Sequence, residues 1–280
     1  MILNQLKLTI ETNTDKNLLY VRNLLKEQLQ GYVLNFVYNS NYGENFLLKG
    51  GSCLRLCFDL PRLSEDIDFD IENFAQFDRA LFCQNLQDYF RQKLKFNGLE
   101  IKIGSQERII YLKFPVLKEI GFPISKEKEN ILFLRLDLAP ILGQGFKKEI
   151  TMKSAFDFSF LIHRYSLEDL FAGKILAIIK RETWEGETKE PRFKGRDFFD
   201  FFWLLEKKVE PNFGYLESIA GFSKTEATQR LRQKLLEAIN RKEELKTDLQ
   251  PFFLETAAVE NFVNNLEALN NNPRLAELIE

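Results

Sequence analysis

The sequence predicts an α+β protein: a mixed sheet with flanking helices over residues 1–155, followed by a helical region over residues 156–280. The apolar run Phe46-Leu47-Leu48 suits a strand and meets the turn formers Gly50-Gly51, after which Ser52 opens a helical pattern carried by Leu54, Leu56 and Phe58. Beyond Pro61, Ile67, Phe69 and Ile71 alternate with Asp66, Asp68 and Asp70, which is the period of a half-buried strand. From Ser166 onward the apolar spacing changes to that of helices.

In order, Lys16–Tyr38 predicts an amphipathic helix with Leu18, Leu19, Leu25, Leu29, Val33 and Phe36 as its apolar stripe. A second helix covers Ala75–Leu94. Strands follow at Leu99–Ile103, Arg108–Phe114 and Asn130–Leu138, the last two joined by the polar stretch Ser125–Asn130. The boundary between the regions falls near Thr151–Phe160. Helices are then expected at Leu167–Arg181, Asp197–Leu205, Thr225–Asn240 and Ala257–Leu269, with a last turn after Pro273. Glu182–Gly195, charged and rich in turn formers, is expected to be a loop. The 27 phenylalanines crowd most at Phe198, Phe199, Phe201 and Phe202, where core filling is their first role.

The chemistry of the chain is concentrated between residues 49 and 70. Residues i and i+2 of a strand lie roughly 6–7 Å apart on one face, so Asp66 and Asp68 can ligate one Mg²⁺ or share a pair of ions. Glycines leave no Cβ between the backbone and an approaching phosphate, and the N–H groups at a helix start can face an anion. Mg²⁺ takes one or two protein carboxylates and completes its shell with water and phosphate oxygens. Gly51 and Ser52 are therefore candidate nucleotide-binding residues, and Asp66 and Asp68 candidate metal ligands and catalytic residues. A solvated acidic strand face would show the same alternation, and it is the run Lys49-Gly50-Gly51-Ser52 that favours a site.

Lys49–Leu56, together with Leu60–Asp70, resembles the AbiEii/AbiGii toxin family, nucleotidyltransferase-like proteins of the superfamily that includes DNA polymerase beta. The resemblance continues through Ser166–Lys174 and Arg196–Asp200. It implies a polymerase-beta-like nucleotidyltransferase core completed by the helical region, working with one or two Mg²⁺ ions and a nucleoside triphosphate. It also implies a toxin with a cognate antitoxin, and an RNA acceptor such as the 3′ end of tRNA. Transfer to a small molecule or a protein hydroxyl, and a non-catalytic nucleotide-binding module, are the alternatives.

Three further positions join the candidates. Asp137, in the strand Phe133–Leu138 whose remaining residues are mostly apolar, becomes a third metal ligand if that strand lies beside Asp66 and Asp68; the alternatives are an ion pair with Arg135 or an edge position. Lys174 stands among Leu170, Phe171, Ala177 and Ile178 on a helix whose start Ser166 and Asp169 would cap. The family motif implies that its ammonium serves the triphosphate, while snorkelling to solvent is the plain alternative. Arg196 and Asp197 match the family's Arg-Asp-x-x-Asp element, implying support for Lys174 and the phosphates; Arg196 with Asp200 would otherwise be a surface i, i+4 pair.

Composition excludes several classes. A net charge of −2 and a sequence pI near 5.8 leave no global basic field, so an RNA contact must be local, with Lys189, Arg192, Lys194 and Arg196 as the nearest patch. The basic residues from Lys224 to Lys242 are interleaved with glutamates and suit a solvated helix face. Cys53, Cys57 and Cys83 offer neither a disulfide framework nor a zinc spacing and are expected as buried thiols. His163 is the only histidine, which excludes a multi-histidine metal centre. No run approaches about 18 apolar residues and no secretion signal is evident, so a cytoplasmic protein without membrane segments is expected.

Overall fold

The computed structural model describes residues 2–104, 108–155, 157–180 and 193–279. Two compact units emerge: the first comprises Met1–Ile141 with Glu149–Arg164, the second Leu142–Lys148 with Tyr165–Glu280.

The first unit is built on a seven-stranded sheet. Its strands are β1 (Phe46–Lys49), β2 (Asp66–Ile71), β3 (Glu100–Ile103), β4 (Ile109–Phe114), β5 (Leu132–Pro140), β6 (Lys148–Ala155) and β7 (Phe158–Tyr165), in the order β3-β4-β5-β2-β1-β7-β6. The sheet is mixed: β2 runs parallel to β5 and β1 parallel to β7, whereas β1/β2, β3/β4 and β4/β5 are antiparallel. The strands β6 and β7 cross the boundary expected near Thr151–Phe160 and belong, but for their outermost residues, to this unit.

Helices α1 (Ile2–Glu11), α2 (Leu18–Tyr38), α3 (Gly50–Phe58) and α4 (Arg79–Asp88) flank the sheet. Asn17 fixes the start of α2 by accepting the Leu19 amide at 2.8 Å, and α2 packs on β5 through a buried stripe that includes Val21, Leu25, Leu29 and Val33. Leu18 and Leu19, expected in that stripe, are instead about half exposed, because they occupy the first turn. The segment before Asp15 forms α1, packed on α2 through Ile2 and Leu6. Behind β1 and β2 the rings of Phe46, Phe69 and Phe82 meet at 5.1–5.5 Å, each burial contributing about 2–3 kcal/mol.

The second unit is helical. It contains α5 (Leu167–Lys180), α6 (Gly195–Glu206), α7 (Phe213–Ala220), α8 (Lys224–Ile239), α9 (Lys242–Leu249), α10 (Thr256–Asn264), α11 (Leu266–Asn270) and α12 (Pro273–Ile279). The helix α5 is the hub, packing against α6, α7 and α8. Ser166 accepts the Asp169 amide as expected, and Asp169 in turn receives the Lys147 amide at 2.7 Å and the Asn212 side chain at 2.7 Å. Ser223 and Glu226 form a capping box at α8. The expected helix Ala257–Leu269 is two helices, broken at Asn265. Phe199 packs edge-on against Phe253 and Phe262, so the phenylalanine crowd does fill the interior. Among the described residues, no helix is long and apolar enough to cross a membrane.

Candidate active site

The turn between β1 and α3 is shaped by two glycines for different reasons. Gly50 has φ +71°, a left-handed conformation that L side chains rarely adopt, and a Cβ there would lie 2.2 Å from Asp68 Oδ2. The carboxylate of Asp68 thus rests directly over the turn. A Cβ on Gly51 would lie 2.8 Å from Arg62 Nη2 and 3.1 Å from Ser64 Oγ, so the second glycine admits a buried guanidinium. No side chain caps the start of α3. Ser52 is fully buried; its hydroxyl donates to the Asp66 carbonyl and lies 3.0 Å from Ser64 Oγ. Its side chain therefore ties α3 to the first residue of β2.

The acids sit on two neighbouring strands. In the parallel pairing of β2 with β5, Asp68 lies opposite Asp137 and Asp66 opposite Arg135, while Lys49 lies opposite Asp68 across β1. Asp70, the third acid of the alternation, is buried against Lys49 Nζ at 2.6 Å. Arg135 grips the Asp137 carboxylate with Nε at 3.0 and 2.9 Å and Nη2 at 2.6 Å, the ion pair that is the alternative to a third metal ligand. Two residues apart on one face is within reach of a guanidinium, and a bidentate pair is strong. Although burial works against the charge, this contact holds the Arg135 guanidinium above its usual range.

Asp66 carries the cost of the cluster. Burial first, then the negative charges of Glu65, Asp68 and Asp137, push its carboxyl up to about 6, with Arg135 opposing. Among the described residues, no group of three or more His, Cys, Asp or Glu is set to enclose a metal ion. The donor set still fits Mg²⁺, which needs only one or two protein carboxylates beside phosphate oxygens, and a cation here would relieve the charge crowding at Asp66.

The second unit holds a separate cluster. Lys174 is buried between Asp197, at 3.0 Å, and Asp200, at 2.6 Å, so it does not snorkel to solvent. Asp200 is fully buried and Arg196 nearly so, which removes the surface-pair alternative. Arg196 instead meets Asp248 at 3.3 Å and lies 4.2 Å above the Phe252 ring. The role of Asp200 went unassigned in the sequence, where its spacing from Asp197 was the available signal. The buried Arg62 gave none, since an isolated arginine in a turn has no periodicity to betray it. Lys189 and Arg192 lie outside the described residues, while Lys194 precedes α6. Cys53 is buried, but Cys57 and Cys83 are only partly so, against expectation.

A mixed sheet that carries an acidic strand pair beside a glycine turn and helix start is of nucleotidyltransferase-like fold. A solved candidate nucleotidyltransferase from Helicobacter pylori is similar at a TM-score of 0.51 and 18% identity, over 91% of this chain and 95% of that one. JHP933 from the same organism is similar at 0.48 and 17% identity, over 91% and 93% of the two chains. An antigenic nucleotidyltransferase-like protein from Paracoccidioides brasiliensis is similar at 0.38 and 16%, over 83% and 95%. No curated protein sequence matches the chain. The family model described as nucleotidyl transferase AbiEii toxin, type IV toxin–antitoxin system, matches residues 35–269, and the chain belongs to that family.

Proposed function

We propose that the chain transfers a nucleoside monophosphate from a nucleoside triphosphate to the 3′ end of tRNA, as the toxin of a toxin–antitoxin pair. The observation that carries the reading is the seating of Asp68 over the Gly50 turn, with Asp66 beside it on the same strand. Asp66 and Asp68 would hold Mg²⁺, and Asp137 would join them if Arg135 yields one of its oxygens. When bound, the ion neutralises phosphate charge as it develops. The chain's own part is to bring phosphate close to Gly50 and Gly51, where no side chain intervenes, and to offer it the start of α3. Ser52 serves by holding β2 to α3. For Lys174, with Asp197 and Arg196 supporting it, the proposed contact to the triphosphate rests on the family motif. The tRNA would be held by Lys189, Arg192 and Lys194, and a cognate antitoxin is the second implied partner.

The test is incubation of the purified chain with Mg²⁺, each labelled nucleoside triphosphate in turn, and total tRNA, protein or no acceptor. Label on tRNA that disappears with Asp68→Asn supports the reading. Label on protein, or on a small acceptor, moves the activity to that substrate, and no label with any nucleotide removes the transferase assignment.

A further inference from the structure

The two edges of the sheet are finished in different ways. One edge, β3, is four residues long and alternates Glu100 and Lys102 with its apolar residues, the usual protection against strand pairing. The other edge, β6, is eight residues long, and among the described residues no strand pairs with its outer side. It presents Ile150, 58% exposed, and Met152, 71% exposed, next to Leu161 of β7, 51% exposed. An exposed edge of this length with large apolar side chains is a template for another strand.

The sequence of β6, Lys-Glu-Ile-Thr-Met-Lys-Ser-Ala, is complementary to itself. When two copies run antiparallel about a two-fold axis at Thr151, Glu149 of each faces Lys153 of the other, and Ile150 of each faces Met152 of the other. Each pairing occurs twice, as an isologous interface requires. The faces agree as well. Glu149 and Thr151 share the face on which Arg164 meets them at 2.6 and 2.7 Å, and Ile150 and Met152 share the opposite one. Near the hairpin end, Ser154 and Ser159 bond through their hydroxyls at 2.7 Å, so β6 is anchored on β7 along its length while its outer side is presented.

We propose that β6 is a self-association surface, pairing antiparallel with β6 of a second copy about Thr151. Both opposite-charge and apolar terms favour this register: a shift by one residue would set Ile150 opposite Lys153 and bring Thr151 opposite Met152. A single strand pair is a small interface, so the dimer is expected at micromolar concentrations rather than below them.

Sedimentation equilibrium of the full chain over a range of micromolar concentrations tests this. Wild type should show a reversible monomer–dimer equilibrium. Lys153→Glu sets a glutamate opposite Glu149 on both sides of the axis and should raise the dissociation constant about tenfold. The double variant Glu149→Lys with Lys153→Glu restores opposite signs and should recover the association. Met152→Glu changes a side chain already exposed in the single chain, so it should weaken the dimer while leaving unchanged the melting temperature measured below the dissociation constant, where the chain is monomeric. A chain that is monomeric throughout, or a dimer that Lys153→Glu and Met152→Glu both leave intact, overturns the proposal.

Discussion

Asp66 and Asp68 in the first unit, and Asp197 and Asp200 in the second, are both close-spaced pairs of aspartates, yet one pair crowds against further acids and the other closes on a buried lysine. Around Asp66, burial first and then the neighbouring acids Glu65, Asp68 and Asp137 push the carboxyl up to about 6 against the help from Arg135. Around Asp197 and Asp200 a lysine is already in place, buried with them at 3.0 and 2.6 Å. Removing a carboxylate from the first cluster relieves repulsion. Removing the cation from the second strands negative charge in the interior. The same residue type, at nearly the same spacing, is thus a crowded acidic face in one place and a clamp between α5 and α6 in the other.

The largest difference should appear in activity. On the proposed function, Asp66→Asn or Asp68→Asn lowers nucleotidyl transfer about a hundred- to a thousandfold, because a lost ligand withdraws metal charge from the transition state. Neither should melt below wild type in metal-free buffer. Most activity retained in both variants would dissolve the contrast.

Lys174→Met is the converse experiment. It keeps the apolar stem but leaves Asp197 and Asp200 buried without their lysine, so urea unfolding should show a loss of about 3–5 kcal/mol. Adding Asp197→Asn and Asp200→Leu to it should recover most of that. A single variant as stable as wild type would mean that the cluster is no clamp, and would return Lys174 to a purely nucleotide-facing role.

These clusters were unequally legible in the sequence. Alternation announced β2, and the glycine pair announced the turn beside it, because period and backbone freedom are local properties. That Ser52 would turn its hydroxyl onto the Asp66 carbonyl, or that Arg135 would hold Asp137, depends on side-chain direction within a finished sheet. The helices α7 and α9 are each only about two turns long, too short to show a period, and the two leucines of α9 lie among charges that pair along the surface, such as Arg241 with Glu244 and Lys242 with Glu267. The strands β6 and β7 were missed because Thr, Ser and Lys occupy much of β6, leaving no clean alternation at the edge. Lys174 illustrates the limit best: its apolar neighbours marked it as unusual, but the buried acids that explain it lie more than twenty residues away.

The charge burden at Asp66 sharpens the comparison through pH. Its folded-state carboxyl titrates near 6, above the ordinary value of 3.8, so the folded chain holds a proton that the unfolded chain has lost between those values. The penalty is absent below about pH 4, grows as pH rises and is complete above about pH 6. In the presence of a chelator, Asp66→Asn should therefore be more stable than wild type by about 2–3 kcal/mol at pH 8 and equal to it near pH 4. Equal stability at both pH values would mean that the acids are already balanced.

Two glycines give the smallest and most local contrast. Gly50→Ala must place an alanine at φ +71° and push Asp68 Oδ2 from the position its Cβ would occupy, so a loss of about 1–2 kcal/mol is expected, together with, on the proposed function, a higher Mg²⁺ concentration for half-maximal activity. Gly173, next to Lys174 within α5, has no atom within 4 Å of where a Cβ would stand and no left-handed backbone. There alanine should stabilise by about 0.5–1 kcal/mol, since glycine is the poorer helix former. Nothing in the fold of the second unit calls for that glycine. If Gly173→Ala is more stable and equally active, its openness is incidental. If it is more stable but binds the nucleoside triphosphate less tightly in calorimetric titration, the space beside Lys174 is kept clear for the nucleotide, and the second cluster is more than a clamp.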